Sequence, residues 1–197
     1  SGSGYFGHTA KDVKDIFTEY KVSIPSIHTD LITLRKNMNE LSEASQTLGF
    51  QYVGLPAIPD ANRKTLDDYK KTADEFNAIG EQAKKAGLKF SYHNHGYGLK
   101  EIDGQIPLNI ILERTDPKLV FFEMDIFWTV AGGADPVDYL KSYPNRYRLM
   151  HVKDMKKGTA IGKLTGSEDV RNDVALGSGQ IDLAAALQTA QEIGVKH

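Results

Sequence analysis

Three short β-rich segments of this chain each end in side chains that bind metal ions. They are Tyr92–His95 (YHNH), Glu123–Trp128 (EMDIFW) and His151–Asp154 (HVKD). Imidazole nitrogens and carboxylate oxygens are the usual protein ligands of divalent cations. If the segments are successive parallel strands, their carboxyl ends meet at one edge of the sheet. The sequence therefore predicts a metal enzyme whose site lies at that edge.

A repeated unit of helix, turn and short strand surrounds these segments. Amphipathic helices are expected over 9–20, 34–48, 65–87, 107–112, 135–143 and 182–194. Thr-x-x-Asp capping patterns begin the first and third of them, and Gly49 suits the end of the second. Strands are expected over 21–28, 51–56, 89–94, 119–125, 146–153 and, more weakly, 173–176. Residues 155–172 are expected to form an active-site loop.

Alternating strands and helices predict a parallel α/β fold. Both a barrel and an open doubly wound sheet would place polar groups at strand ends, but the chain lacks the glycine-rich phosphate fingerprint of nucleotide-binding open sheets. The sequence therefore favours a TIM (β/α)8-type barrel. Such barrels typically need ~250 residues and eight strands. With about six strand–helix units in 197 residues, this barrel is predicted to be incomplete, lacking its first and last strands.

Composition limits the function only loosely. Hydrophobic residues make up 40% and charged residues 25% of the chain, as in an ordinary globular domain. The net charge of −2 gives no general attraction for nucleic acid or anionic membranes, and the sequence has no apolar run long enough to span a bilayer. With no cysteine, disulfides and thiolate chemistry are excluded. We expect a cytoplasmic protein with one domain over 5–197, and we interpret Ser1–Gly4 as a linker or cloning remnant.

Four segments resemble the xylose isomerase-like TIM-barrel family of sugar phosphate isomerases and epimerases, which includes inosose dehydratases and endonuclease IV. They are YHNHGYGLKEIDGQIP, FFEMDIFWTVAGGADPVDYLKSYP, RLMHVKDM and LGSGQIDLAAALQTAQEIGVKH. The resemblance covers residues 5–197. It implies a divalent ion, manganese, cobalt, magnesium or zinc, held by a Glu, an Asp, a His and a second Glu from four strands.

The resemblance assigns three metal ligands in this chain. Asp125 matches the family's Asp, His151 matches its His, and His93 stands where many relatives carry the first Glu. The second Glu would lie in the strand after His197 and is absent from the sequence. The remaining 2-His-1-carboxylate set is chemically adequate for a divalent ion with open positions.

Five further residues are candidates for catalysis or substrate binding, and four of them have an alternative reading. Lys153 and His95 are the candidate catalytic residues, although a lysine at a strand end is often solvent-facing and His95 could instead replace His93 as ligand. Trp128, His28 and Asp154 are candidate substrate contacts, and core or surface roles remain open for the first two.

The alternation of side chains along strands, and the residue types of one turn, allow further interpretations. Since side chains alternate along a strand, His93 and His95 share a face, Asn94 points away, and Glu123 shares a face with Asp125. Glu123 is either a partner of the metal ligands or a buried residue paired with a cation. Gly177-Ser178-Gly179 is interpreted as a backbone-shaping turn rather than a phosphate cradle.

These residues predict a divalent-metal-dependent isomerase or epimerase of a small sugar or sugar phosphate, acting through a metal-stabilised enediolate. His93 and the missing Glu depart from the family's two-carboxylate scheme, so a lyase or dehydratase of a keto-sugar or keto-inositol is the main alternative. A DNA repair nuclease would need a basic face and a richer ligand set. An inactive fragment is the remaining alternative. The expected partner is a small sugar, without nucleic acid or membrane, and a homo-oligomer is left open.

Overall fold

Five parallel strands form the central sheet of the computed structural model, which describes residue 5 and residues 7–197. The strands are β1 (Ser26–His28), β2 (Tyr52–Leu55), β3 (Lys89–His93), β4 (Val120–Asp125) and β5 (Tyr147–His151). Each pairs with the next one along the chain, in the order β1-β2-β3-β4-β5. A doubly wound sheet would reverse this order at a switch point. The sheet is therefore half of a TIM barrel, which confirms the predicted fold class.

Helices surround the sheet, and every predicted helix is present together with one, Ile126–Ala131, that the sequence did not indicate. Within the described residues they are α1 (Ala10–Glu19), α2 (Leu31–Lys36), α3 (Met38–Leu48), α4 (Leu66–Lys85), α5 (Pro107–Arg114), α6 (Ile126–Ala131), α7 (Pro136–Ser142) and α8 (Leu183–Glu192). Capping boxes at Thr9 and Thr65 begin α1 and α4, and Gly49 ends α3 with a φ of 88°. The predicted second helix is two helices, because Asp30 caps an earlier turn and Asn37 breaks the run.

The main core lies between the sheet and the helices around it. Leu119 to Phe122 was predicted to be buried, and β4 is buried along nearly its whole length. On α4, the ring of Phe76 lies 5.1 Å from that of Phe90 and 5.2 Å from that of Tyr92, measured between centroids. Such aromatic pairs add to the free energy gained by burying apolar surface. Tyr92 in turn meets the Phe122 ring of β4 edge-on at 6.2 Å, so this packing holds the two strands that carry His93 and Asp125.

The predicted sixth strand of the parallel sheet is wrong. Residues 173–174 do form a strand, β7 (Asp173–Val174), but it pairs antiparallel with β6 (Asp154–Met155) in a separate two-stranded sheet. A parallel neighbour needs a crossover, usually through a helix. Between β6 and β7 the only helical segment is a short 3-10 turn at 170–172. The chain therefore reverses direction, and β7 pairs with β6, the strand just before this connection.

The segment after α8 runs beside β5. Lys196 N–H donates to the Arg148 carbonyl at 3.1 Å, and Met150 N–H donates to the His197 carbonyl at 2.8 Å. These bonds agree with the prediction that 194–197 is the entry to a strand. The other predicted strands are shortened at their ends, most of all the first, which covers only Ser26–His28. The interpretation of Ser1–Gly4 lies outside the described residues.

Candidate metal centre

The three predicted metal ligands lie together at the carboxyl ends of β3, β4 and β5. His93 Nε2 is 3.2 Å from Asp125 Oδ2 and 3.3 Å from His151 Nδ1, and His151 Nδ1 is 3.2 Å from the same Asp125 oxygen. The register explains the convergence, because Asp125 pairs with His151 across β4 and β5. Three donor atoms on three strands thus form a nearly equilateral triangle.

The size and chemistry of this triangle fit a divalent cation. Bonds of ~2.1 Å at tetrahedral angles place neighbouring donors ~3.4 Å apart, close to the separations observed here. His93 Nδ1 faces the Pro56 carbonyl at 3.2 Å and must donate to it, because a carbonyl can only accept. His93 Nε2, the other ring nitrogen, is the atom that points to Asp125 Oδ2, so a cation shared by the two residues would bind there.

The fold holds Asp125 rigidly. Its Oδ1 accepts from Trp128 N–H at 2.8 Å and caps α6, which leaves Oδ2 for the triangle. Its backbone N–H donates to Asn94 Oδ1 at 3.0 Å, and Asn94 also donates to Thr129 Oγ1 at 3.2 Å. Asn94 therefore points away from the His face, as alternation requires, and clamps the start of α6 to the end of β3.

Burial and charge set the protonation of the cluster. Burial alone would raise the pKa of Asp125, but its hydrogen bonds with His151 and His93 outweigh it and hold that pKa far below the ordinary value. The bond with Asp125 raises the pKa of His151. The Asp125 side chain is 1% exposed and that of His151 is 48% exposed. The triangle is thus negatively charged at the buried Asp125 and open to solvent at His151.

A second pair of polar side chains, His28 and Glu123, lies beside the triangle. His28 Nε2 is 3.0 Å from Glu123 Oε2, although the two residues belong to β1 and β4. Gly54 on β2 leaves room for the contact, since a Cβ there would lie 2.9 Å from His28 Cδ2. The His28 ring also meets the His93 ring edge-on at 5.2 Å. Glu123 is therefore a buried partner of His28, beside the predicted ligands.

The Glu123 carboxylate is ionised in this setting. Burial would raise its pKa, but the hydrogen bond and the charge of His28, together with the charges of His93 and His151, leave it lowered. The site thus contains two buried carboxylates, those of Asp125 and Glu123, close to three histidine rings.

His95 and Trp128 form an aromatic wall next to the triangle. The His95 ring is 4.9 Å from the His93 ring, 5.2 Å from Trp128 and 5.5 Å from Tyr97, which is stacked parallel to it. Burial and the neighbouring His93 lower the pKa of His95 to about 4. Its Nδ1 is buried and has no hydrogen-bond partner within the part of the chain that the structure describes. His95 is therefore a neutral imidazole at neutral pH.

Lys153 and Asp154 differ in their surroundings. Lys153 Nζ lies 3.4 Å from Asp173 Oδ1 and 4.7 Å from the centroid of the Phe127 ring. Burial and the neighbouring His93 are the main reasons for the lowered pKa of His95, and the positive charge of Lys153 adds to them. The Lys153 side chain therefore lies close enough to influence the site electrostatically. Both oxygens of Asp154, by contrast, accept bonds from backbone N–H groups, and the residue is 1% exposed.

Sequence reasoning missed three contributors to the site. The Pro56 carbonyl fixes the His93 tautomer, Tyr97 supports His95, and α6 places Trp128. Tyr97 follows His95 by two residues within YHNHGYG, a spacing that could have indicated the stack. Nothing in the sequence pattern indicates the Pro56 contact, which depends on how the loop after β2 turns.

Comparison with known proteins assigns this chain to a family. The family model described as xylose isomerase-like TIM barrel matches residues 3–197. The chain belongs to the xylose isomerase-like TIM-barrel family. This confirms the resemblance read from the sequence motifs.

Three of the proteins that match this chain are named below. An inosose dehydratase of Clostridium tetani is 33% identical over 132 residues, which cover 66% of this chain and 43% of that protein. A sugar phosphate isomerase/epimerase of Parabacteroides distasonis superposes with a TM-score of 0.77 at 27% identity, over 95% of this chain and 66% of that one. The IolI protein, solved with a bound zinc atom, gives a TM-score of 0.73 at 20% identity, over 98% of this chain and 71% of that one. The chain thus spans less than half the length of the curated relative named here.

The comparisons therefore place the chain in an enzyme family whose matched members are named as sugar isomerases, epimerases and dehydratases. Among the residues that the structure describes, no helix has the length and apolar character needed to cross a bilayer.

Proposed function

We propose that this protein is a divalent-metal-dependent isomerase or epimerase of a small sugar or sugar phosphate. The observation that carries the proposal is the triangle of His93 Nε2, Asp125 Oδ2 and His151 Nδ1, with sides of 3.2 to 3.3 Å. These residues would hold the ion, and the exposed side at His151 leaves room for substrate oxygens. An ion bound there would polarise a carbonyl and stabilise the negative charge that develops when the neighbouring C–H proton is removed.

The residues around the triangle suit a polyhydroxylated substrate. The Trp128 ring offers an apolar face of the kind that packs against a sugar ring. His28, held by ionised Glu123, and Lys153, held by Asp173, would contact substrate oxygens. His95 Nδ1 has no hydrogen-bond partner among the described residues, and a substrate hydroxyl would satisfy it. We propose Lys153 and His95 as the groups that move or hold the reacting proton.

Relatives support this reading at the level of fold and chemistry. The Parabacteroides distasonis protein is named as a sugar phosphate isomerase/epimerase, and IolI binds zinc on the same fold. Manganese, cobalt, magnesium and zinc are all candidates for this chain, because each can bind to two imidazoles and one carboxylate.

Homo-oligomerisation and a cytoplasmic location stay predictions, testable by light scattering and cell fractionation.

Dehydration is the second candidate, and one observation favours it. The curated relative with 33% identity is an inosose dehydratase. Elimination of water also begins by removing a proton next to a carbonyl, and it needs only one base on one face. The same residues would therefore serve either reaction up to that step.

Bound metal is the first property to measure. The chain is loaded with Mn²⁺ or Zn²⁺, desalted and analysed for metal content, beside Asp125→Ala, His151→Ala and the exposed-residue control His8→Ala. The proposal expects about one ion per chain in the wild type and in the control, and loss in the other two. An unmetallated wild type after loading would refute the proposal.

Product analysis separates the two reactions. Candidate ketoses and keto-inositols are incubated with the metal-loaded protein in D2O and followed by NMR. Deuterium next to the carbonyl without loss of water supports the isomerase or epimerase, whereas a product lighter by one water, an enol or its dicarbonyl tautomer, supports the dehydratase.

A further inference from the structure

Asp154 is one of the most completely bonded side chains near the site. Its Oδ1 accepts from the N–H groups of Met155 at 2.8 Å and Ile181 at 3.3 Å. Its Oδ2 accepts from those of Gly177 at 2.9 Å and Gly179 at 2.8 Å. Burial would raise the pKa of Asp154, but these bonds leave it lowered, so the carboxylate is ionised. Its lone pairs are committed to the protein backbone, which leaves none free for a sugar.

These bonds close the base of a long loop, residues 155–181. Gly177 to Ile181 is the returning end of the loop, and Asp154 immediately precedes its start. The pairing of β6 with β7 and the bond from Gln180 N–H to the Met155 carbonyl at 2.7 Å lie at the same place. A Cβ at Gly179 would lie 2.2 Å from Asp154 Oδ1, so the fit admits only glycine. The Gly-Ser-Gly turn therefore binds the protein's own carboxylate, in agreement with its interpretation as a backbone-shaping turn.

The far end of the same loop lies against the aromatic wall of the site. Tyr97 N–H donates to the Thr165 carbonyl at 3.2 Å, and Lys163 N–H donates to the Ala131 carbonyl at 2.6 Å. Tyr97 is the residue stacked on His95. At the base, Asp173 pairs with Lys153. The position of this loop therefore sets both the support of His95 and the direction of Lys153.

We propose that Asp154 is a positioning residue, which fixes the 155–181 loop as one wall of the substrate pocket and does not itself bind substrate. The loop's role as a pocket wall rests on the proposed function, whereas the anchoring by Asp154 does not. Four N–H donors need an acceptor with about four lone-pair sites, which a carboxylate has and an amide oxygen lacks. Asp154→Asn would therefore release part of the loop base without changing the size of the side chain.

Trp128 offers a direct readout, because it is the only tryptophan of the chain and is 7% exposed. It belongs to one apolar cluster with Met155, against which Ile181 packs, and both of these residues donate backbone N–H groups to Asp154. Opening the loop base should expose its indole ring to a quencher. The experiment measures acrylamide quenching of Trp128 fluorescence and the Kd for Mn²⁺ in Asp154→Asn, in Gly179→Ala and in the control Asp169→Asn, which changes an exposed turn of the same loop.

The expected result is a quenching constant raised about twofold or more in the first two variants and unchanged in the control. Their Kd for Mn²⁺ should stay within about threefold of the wild type, because the triangle does not use the loop. Unchanged quenching would overturn the proposal. A Kd weakened about tenfold or more together with the quenching would also overturn it, since Asp154 would then support the whole site.

Hydrogen exchange of the wild type keeps the proposal testable if the variants do not fold. The amides of Gly177 and Gly179 should exchange more slowly than those of Lys157, Ala160 and Gly162, exposed residues of the same loop. Equal exchange rates would overturn the anchoring role. Failure of the proposed function would appear separately: the wild type would bind no Mn²⁺, while the two variants would still show raised quenching and the wild type would still show slower exchange at Gly177 and Gly179.

Discussion

Asp125→Asn is the sharpest test of the metal centre. The substitution keeps the side-chain shape and the Oδ1 acceptor that caps α6 through Trp128 N–H at 2.8 Å. It replaces Oδ2, which lies 3.2 Å from both His93 Nε2 and His151 Nδ1, with an amide group that has no lone pair for a metal. The fold should therefore survive while the triangle loses one ligand, the only carboxylate among its three.

The magnitude follows from the number of ligands. Structural zinc sites with four protein ligands contribute about 10–16 kcal/mol, which is roughly 3 kcal/mol for each ligand. A loss of about 3 kcal/mol weakens binding on the order of 100-fold. By contrast, a lost helix cap costs about 1 kcal/mol, and Asn is a good cap. We therefore expect a Kd for Mn²⁺ or Zn²⁺ raised about 100-fold or more. The free energy of unfolding of the metal-free protein should fall by about 1.5–3 kcal/mol, because the hydrogen bonds of the Asp125 carboxylate to the two imidazoles are weakened while the helix cap is kept.

Isothermal titration and urea unfolding measure the two quantities. Asp135→Asn is the matched control, because Asp135 caps α7 through Val137 N–H at 2.7 Å and takes no part in the triangle. The control should bind metal as the wild type does. A Kd for Asp125→Asn within about threefold of the wild type would refute the assignment of Asp125 as a ligand.

Three further results are expected. Metal affinity should fall as pH is lowered, because protons compete with the metal for the imidazoles. Since Asp125 raises the pKa of His151, the fall should begin above pH ~6.5. A Kd that does not change between pH 8 and 5.5 would contradict this. Gly54→Ala should lower the free energy of unfolding by about 1–3 kcal/mol in urea, because its Cβ would crowd His28 at 2.9 Å, whereas Gly98→Ala, at 3.6 Å from its nearest neighbour, should change it little. Thr65→Ala should cost about 1 kcal/mol by removing the α4 capping box, and an unchanged unfolding midpoint would argue against that cap.

Local signals predicted most of the fold. Thr-x-x-Asp patterns and Gly49 located helix ends correctly because those residues act through bonds within one or two turns. The helix α6 was not predicted, since its sequence IFWTVA favours a strand by composition. Tertiary contacts override that preference: Asp125 caps the helix, and Thr129 Oγ1 donates to the Asp125 carbonyl at 2.8 Å. β7 was misplaced because pairing partners depend on the path of the intervening loop.

The site was predictable to the extent that it depends on strand ends. His93, Asp125 and His151 are metal-binding residue types at the carboxyl ends of three successive strands, and parallel pairing alone brings such positions together. The pair of His28 and Glu123 was not predictable, because 95 positions of sequence separate the partners and the contact crosses two strands. The occupation of Asp154 by four N–H groups likewise depends on a loop closure that no periodicity encodes.

Asp125 links the fold to the proposed chemistry through its two oxygens. One oxygen begins α6, and so places Trp128 beside His95; the other completes the triangle. Because both bonds come from one short, buried side chain, the direction of Oδ2 is set by the helix that follows the strand. The longer glutamate would add a rotatable bond and could not satisfy both at the same backbone position. The strand–helix junction, with Asn94 clamped across it, therefore fixes the predicted ligand and the predicted substrate wall together.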